Sequence, residues 1–236
     1  MGIVKHIPNT ITSMNLLSGA MGVILTLEGC LEAAFLCMLL AAVFDFCDGL
    51  AARTLGAYSN IGKELDSLAD CVSFGLLPSV MMVQSMCTDG VWRYIPLVLA
   101  AASALRLAKF NVDERQTSNF LGVPTPASAM VVGSLCCFVA AGNGTWISGL
   151  VQTPWFLPLL AVVMSLLVTS EIPMFGMKIA KGHKLLDAKR TVFLCIAAAA
   201  IVATVLLRAH WSLAILLVFT AYIIENLLIA LIWKRN

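Results

Sequence analysis

Four aspartates fall within one short stretch of this 236-residue chain: Asp45 and Asp48, three apart, then Asp66 and Asp70, four apart. Residues at these spacings share a helix face, so two antiparallel helices would bring both pairs to one depth. At 1.5 Å per residue, Asp70 would lie roughly 10 Å inside a helix that starts near Gly62. Carboxylates in an apolar stretch cost about 2.5–3.5 kcal/mol each on insertion scales, and their mutual repulsion adds to that. Arg53 and Lys63 are the only nearby bases, too few to balance four acids. That shortage argues against the plainer alternative, a structural salt-bridge cluster. Hard cations would supply the missing charge, and an all-oxygen ligand set suits Mg²⁺, Mn²⁺ or Ca²⁺ rather than Zn²⁺. A pair of such ions could grip a diphosphate and neutralise charge in phosphoryl transfer. Gly49, Ala52 and Gly62 remove bulk beside the acids and would let a ligand approach, although small residues equally serve helix packing. Arg53 offers a planar fork to phosphate oxygens or a nucleobase edge.

The elements that must hold these residues are membrane helices. Hydrophobic residues make up 60% of the chain, charged residues 12%, and mean hydropathy is +0.94, against about 45–50% apolar and 25% charged in soluble domains. Stretches near 11–28, 31–50, 64–86, 92–109, 124–142, 155–175, 190–208 and 210–232 each approach the roughly 20 apolar residues of a membrane crossing. The expected fold is all-α, a polytopic helical membrane protein with about eight transmembrane helices. Of the 15 lysines and arginines, all but Arg93 and Arg208 fall on one set of connecting segments. This bias sets those segments, and both termini, on the cytoplasmic side. The longer loops, 51–63, 110–123 and 176–189, share that side, and function is expected there. A net charge of +2 is too small to suggest nucleic acid. The N-terminal stretch Lys5–Thr10 leads into its span without the small-residue cleavage site of a signal peptide. All eight cysteines lie in or beside apolar spans and read as small hydrophobes.

Residues 45–70 read D-x2-D-G-x2-A-R-x8-G-x3-D-x3-D, a pattern that resembles the signature of the CDP-alcohol phosphatidyltransferase family. The resemblance implies a helical membrane enzyme, usually a homodimer, with a cytidine-diphosphate lipid as donor and Mg²⁺ or Mn²⁺, two ions, as cofactor. It implies Asp45, Asp48 and Asp66 as metal ligands, and Asp70 as a further ligand and the general base. Gly49, Ala52, Arg53 and Gly62 would line the nucleotide pocket. Segments Pro8–Thr12, Arg106–Asn111, Phe120–Pro126 and Glu171–Met174 are similar to the phosphatidylserine synthase branch, and place Asn9 and Thr12 with the donor site. Lys109 departs from the arginine expected there and lacks its fork.

That branch implies transfer of a phosphatidyl group from CDP-diacylglycerol to L-serine at the cytoplasmic face of the cell membrane, with CMP released. A serine site needs a cation and an anion besides the metals. Arg106 or Lys109 can meet the carboxylate, and Glu171 or Asp113 the ammonium. Arg106 and Lys109 can also be membrane anchors with snorkelling stems, and Asn9 and Asn111 helix caps. A phosphorylated acceptor, glycerol phosphate or inositol phosphate, would want convergent bases, which the Lys178–Arg190 cluster could supply. A cation or proton transporter is the alternative from another class, but such proteins place acids near the midplane of repeated halves, and no repeat shows. The chain reads as one domain over 1–236, with its motifs in about 8–180. The hairpin at about 190–232 carries none.

Overall fold

The computed structural model describes residues 6–86, 90–112, 120–142, 146–174 and 184–233. Asp113 lies outside them, as do the side chains of the Lys178–Arg190 cluster. The chain folds as helices: α1 (His6–Leu27), α2 (Leu31–Thr54), α3 (Asn60–Asp70), α4 (Leu77–Ser85), α5 (Val98–Val112), α6 (Thr125–Ala140), α7 (Trp146–Val151), α8 (Phe156–Thr169), α9 (Lys184–Leu206) and α10 (Ser212–Trp233). A π-helical turn, Cys71–Leu76, joins α3 to α4, and a 3₁₀ turn, Val91–Leu97, leads into α5. Five described segments are long and apolar enough to cross a membrane: His6–Leu27, Leu31–Thr54, Asn60–Ser85, Val91–Val112 and Ser212–Ala230. Three of the expected spans are realised as shorter apolar helices, Thr125–Ala140, Phe156–Thr169 and Phe193–Leu206. Prolines shorten two of them. Pro124 and Pro126 set the start of α6, and the chain beyond α8 turns extended at Ser170, before Pro173.

Helix α1 shows why this is an integral membrane protein. Its buried positions are Pro8, Thr12, Asn15, Ser18, Gly19, Gly22 and Thr26, while Met14, Leu17, Met21, Ile24 and Leu27 point outward. Small and polar groups face the protein and large apolar groups face out, the arrangement expected where lipid is the solvent and close helix approach drives packing. Helix α6 takes the centre. It is buried without a break from Ala127 to Phe138, so it needs apolar character all round rather than along one stripe. Around it pack α2, α4, α8 and α10, with Phe35, Met38, Phe74, Leu77 and Met81 filling the core.

The tightest approach is at Gly19. A Cβ there would lie 2.8 Å from the Cα of Ser73 in the π turn and closer still to the Ser73 hydroxyl. That hydroxyl in turn donates to Asn15 O at 3.1 Å. Gly19→Ala is therefore expected to overpack the α1–π-turn contact by about 1–3 kcal/mol. In a chain of this size that lowers Tm by several degrees, at about 2–4 °C per kcal/mol. Thermal unfolding in detergent checks this, with Gly149→Ala, whose Cβ would meet nothing within 4 Å, as the neutral control.

Two further ties hold the ends of the bundle. Phe120–Leu121 (β1) pairs antiparallel with Pro173–Met174 (β2), Phe120 opposite Met174. Between β1 and α6, Gly122 adopts φ +73° and donates to Ile172 O at 2.9 Å. A Cβ there would stand 2.6 Å from the carbonyl oxygens of Val168 and Ser170, so glycine is required. At the other end Trp211 stacks on Phe35, centroids 5.6 Å apart. Trp211 Nε1 and His210 Nε2 both meet Glu32 Oε1 at 3.2 Å. The α9–α10 hairpin is thus pinned to the start of α2.

Candidate active site

Helices α2 and α3 each deliver one pair of acids, and α1 packs along both. The ligand oxygens of Asp45, Asp48 and Asp66 all lie within 4.8 Å of one another. Oxygens on opposite sides of one Mg²⁺ are about 4.2 Å apart, and about 4.8 Å for Ca²⁺, so the three carboxylates span a single hard cation with little adjustment. Asp48 Oδ2 and Asp66 Oδ1 are buried and have no hydrogen-bond partner among the described residues. Buried polar atoms normally find partners, and unpartnered carboxylate oxygens in so tight a cluster of acids fit a bound cation. The cluster could bind metal.

Asp70 is set apart from these three. It is 8% exposed, and its Oδ1 accepts from Asn15 Nδ2 at 3.1 Å. Asn15 is wholly buried, so α1 holds the Asp70 carboxylate from behind. Asn15 lies outside the sequence motifs. Asn9, Thr12 and Asn15 recur every three residues through an apolar span, and that polar stripe was the available signal.

Beside the acids opens a cavity of about 500 Å³. Asn9, Thr12, Asp48, Gly49, Ala52, Arg53, Gly62 and Asp66 all line it, so every residue expected at the donor pocket converges on one space. Pro8, Ala57, Tyr58, Ser59, Lys63 and Phe110 complete the wall, none of them expected there. The local chemistry explains the opening. Ser59 caps α3 by accepting from Gly62 N at 2.9 Å, and a Cβ on Gly62 would crowd Ser59 Oγ and Asn9 Oδ1 at 2.9 and 3.0 Å. At Gly49 the space is free, since a Cβ would meet nothing nearer than Arg53 Nη2 at 3.9 Å. Arg53 folds back to donate from Nε to Gly49 O at 2.9 Å.

The expected acceptor residues part company. Arg106 is 9% exposed, donates from Nη1 to Thr125 Oγ1 at 3.0 Å, and keeps a buried Nε without a partner among the described residues. The Asp70 carboxylate lies within electrostatic reach of its guanidinium. Lys109 and Glu171 are exposed. Asn111 bridges α5 to α3 instead: its Nδ2 donates to Glu64 Oε2 at 3.2 Å and Ser67 Oγ at 2.9 Å, while its carbonyl accepts from Lys63 Nζ at 2.9 Å. Of the four, Arg106 is the buried one, and Asp70 lies within its electrostatic reach.

The family model for CDP-alcohol phosphatidyltransferases matches residues 5–167. The chain belongs to that family. The match takes in all four acids, the whole cavity wall and Arg106, while α9 and α10 fall beyond it. Among curated CDP-alcohol phosphatidyltransferase relatives, the chain is similar to the CDP-diacylglycerol–serine O-phosphatidyltransferase of Mycobacterium leprae, 34% identical over 205 residues, covering 83% of this chain and 67% of the relative. It is similar to the enzyme of the same name from Mycobacterium tuberculosis, 35% identical over 177 residues, covering 71% of this chain and 60% of the relative. An archaetidylserine synthase of Methanothermobacter thermautotrophicus is 36% identical over 134 residues, covering 54% and 56% of the two chains. The chain thus spans roughly three fifths to two thirds of the length of the first two.

Proposed function

We propose that this protein, as one membrane domain, transfers the phosphatidyl group of CDP-diacylglycerol to the hydroxyl of L-serine, forming phosphatidylserine and CMP. The observation that carries the reading is that Asp48 and Asp66 of the acid cluster line the donor cavity, while Asp70, held by Asn15 Nδ2 at 3.1 Å, lies within electrostatic reach of the buried Arg106 guanidinium. Relatives named for serine transfer support the choice of acceptor. The positive-inside bias supports an active site facing the cytoplasm, in the cytoplasmic membrane. Family resemblance supports a homodimer.

In this reading the cavity takes the cytidine-diphosphate part of the donor, with Gly49, Ala52 and Gly62 giving room and Arg53 presenting its Nη groups. Asp45, Asp48 and Asp66, with Asp70 at their edge, would hold a pair of Mg²⁺ or Mn²⁺ ions, which supply charge neutralisation for the diphosphate and the departing CMP. Asn15 occupies Asp70 Oδ1, leaving Oδ2 to take the proton from the serine hydroxyl. The serine oxygen then forms its bond to the lipid-bearing phosphorus as the bond from that phosphorus to the CMP oxygen breaks, and CMP leaves with the electron pair. Arg106 meets the serine carboxylate through its planar fork and so aims the hydroxyl at Asp70.

The test offers purified protein CDP-diacylglycerol with Mg²⁺ or Mn²⁺ and, in parallel, labelled serine, glycerol phosphate and inositol phosphate. Label from serine should enter lipid with stoichiometric CMP. Label from glycerol phosphate or inositol phosphate alone would overturn the acceptor. In the same assay Arg106→Ala should raise the serine KM roughly tenfold to 150-fold, the loss of a charge-assisted contact, with the donor KM nearly unchanged. An anchoring role predicts less protein in the membrane and unaltered kinetics per folded molecule.

A further inference from the structure

We propose that Thr125 is a positioning residue of the acceptor site: its hydroxyl holds the Arg106 guanidinium so that the edge formed by Nε and Nη2 is presented to the acceptor carboxylate. The inference rests on the serine-transfer reading and deepens it. Thr125 is the first residue of α6 and is wholly buried. Its Oγ1 accepts from Arg106 Nη1 at 3.0 Å, a hydrogen bond between two buried side chains on different helices.

Which nitrogen is held decides what is left for a ligand. A guanidinium carries five N–H groups in one plane, and Nε and Nη2 form an edge whose parallel N–H bonds take both oxygens of a carboxylate. Nη1 lies off that edge. Thr125 therefore occupies the nitrogen that such a contact does not need, and Nε is buried with no partner among the described residues. Buried N–H groups normally have partners, so this one is suited to a ligand atom. Two hydroxyls near it are unmet as well. Ser103 stands three residues before Arg106 and Ser128 three after Thr125, each on the same helix face as its neighbour, and both hydroxyls are buried without a partner among the described residues. The Thr125 oxygen is also neutral. A carboxylate in its place would pair with the arginine outright and compete with substrate.

Thr125 is itself held by two segments that take no part in the donor cavity. Phe120–Leu121 pairs with Pro173–Met174. Gly122 N then donates to Ile172 O at 2.9 Å, and Val123 N to Leu167 O at 3.0 Å. Val123 is wholly buried. Pro124 and Pro126 flank Thr125, and each proline ring fixes its own φ near about −65°. The strap between the end of α8 and the start of α6 thus sets the Thr125 backbone. Threonine, branched at Cβ, is stiff at χ1, so a fixed backbone largely fixes the hydroxyl. A planar fork recognises a carboxylate only when its plane is aimed. The segments Phe120–Pro126 and Ile172–Met174 thereby share one purpose, the aim of a single guanidinium.

The experiment uses the whole chain in detergent or vesicles. Initial rates are measured against serine and CDP-diacylglycerol for wild type, Thr125→Val, Thr125→Ser, Arg106→Lys and the Thr125→Val, Arg106→Lys double variant. Thr125→Val keeps the branched shape and removes the hydroxyl, so Arg106 stays charged but loses its tether. The expected result is a serine KM raised about three- to tenfold, the scale of one hydrogen bond, with kcat and donor KM little changed. Thr125→Ser keeps the hydroxyl and should recover most of the wild-type serine KM. In the Arg106→Lys background Thr125→Val should change the serine KM by less than about twofold, because the fork it aims is already gone. A purely structural role for Thr125 predicts a lower Tm and less folded protein, with the serine KM of folded molecules unchanged, and that result overturns the proposal. So does an equal rise in Thr125→Val and Thr125→Ser, or an undiminished effect in the Arg106→Lys background. Should Thr125→Val fail to fold, Thr125→Ala must raise the serine KM where Thr125→Ser does not, and an unchanged value overturns the proposal equally. A wild-type protein that uses a different acceptor overturns the serine reading instead, and the Thr125 comparison is then read on the KM of that acceptor.

Discussion

Stripping divalent cations from the purified protein is expected to reduce phosphatidyl transfer to background, and Mg²⁺ or Mn²⁺ to restore it. Asp45, Asp48 and Asp66 bring ligand oxygens within 4.8 Å of one another, Asp48 Oδ2 and Asp66 Oδ1 lack a hydrogen-bond partner among the described residues, and among the described residues no lysine or arginine forms an ion pair with these acids. Charge stabilisation by bound metal is worth several kcal/mol. About 4 kcal/mol alone corresponds to roughly a thousandfold in rate. A readout independent of turnover is Tm: at a cation concentration of 100 times Kd the folded protein gains about 2.7 kcal/mol, and Asp45→Asn should blunt that gain. Full activity in excess chelator, with Tm indifferent to Mg²⁺, would remove the metal site.

Asp70→Asn is expected to lose about 10²–10⁴-fold in turnover, the contribution of a general base, while still binding CDP-diacylglycerol. The substitution is nearly isosteric, and the amide oxygen can still accept from Asn15 Nδ2. The buried pocket therefore keeps its hydrogen bond and loses only the capacity to take a proton. Asp45→Asn should behave differently, weakening cation and donor together. Donor binding measured by equilibrium methods, set beside single-turnover rates, separates the two. Retention of more than a few percent of wild-type turnover in Asp70→Asn would assign the base elsewhere.

What the sequence made legible followed from spacing and from charge. The i, i+3 and i, i+4 acids had to share faces, and the structure brings Asp45, Asp48 and Asp66 within reach of one ion. The glycines and Arg53 between them had to line whatever lay beside the acids, and they do. The segments around Phe120 and Glu171 stood out separately, and their neighbours pair with each other as β1 and β2. Less was legible where a role depends on a partner distant in the chain. Asn15 is 55 positions from Asp70, and the local polar stripe that marks it does not name its partner. Lys109 and Arg106 look alike in sequence, yet one is exposed and the other buried. They are three residues apart on one helix face, and Lys109 lies about one turn nearer the end of α5 at Val112. Span length suffered for a similar reason, since apolar composition continued past Ser170 after the backbone had left the helix.

The π turn at Cys71–Leu76 starts immediately after Asp70, and Leu77 N reaches back five residues to Val72 O. It therefore acts as a one-residue insertion frozen into an otherwise continuous rod. Each residue of an α-helix turns the chain by about 100°, so everything from Leu77 onward is out of phase with α3 by about one such step. The acids above the turn keep their aim at α1 and α2, while Leu77, Met81 and Met82 below it are rotated into the core. Deleting a single residue within 71–76 would let an unbroken α-helical ladder form and lose neither an acid nor a core residue outside the turn. It would make the two halves choose between them: either the carboxylates or the apolar face could point inward, but not both. Indel tolerance along this helix should accordingly be lowest at a site that touches no substrate.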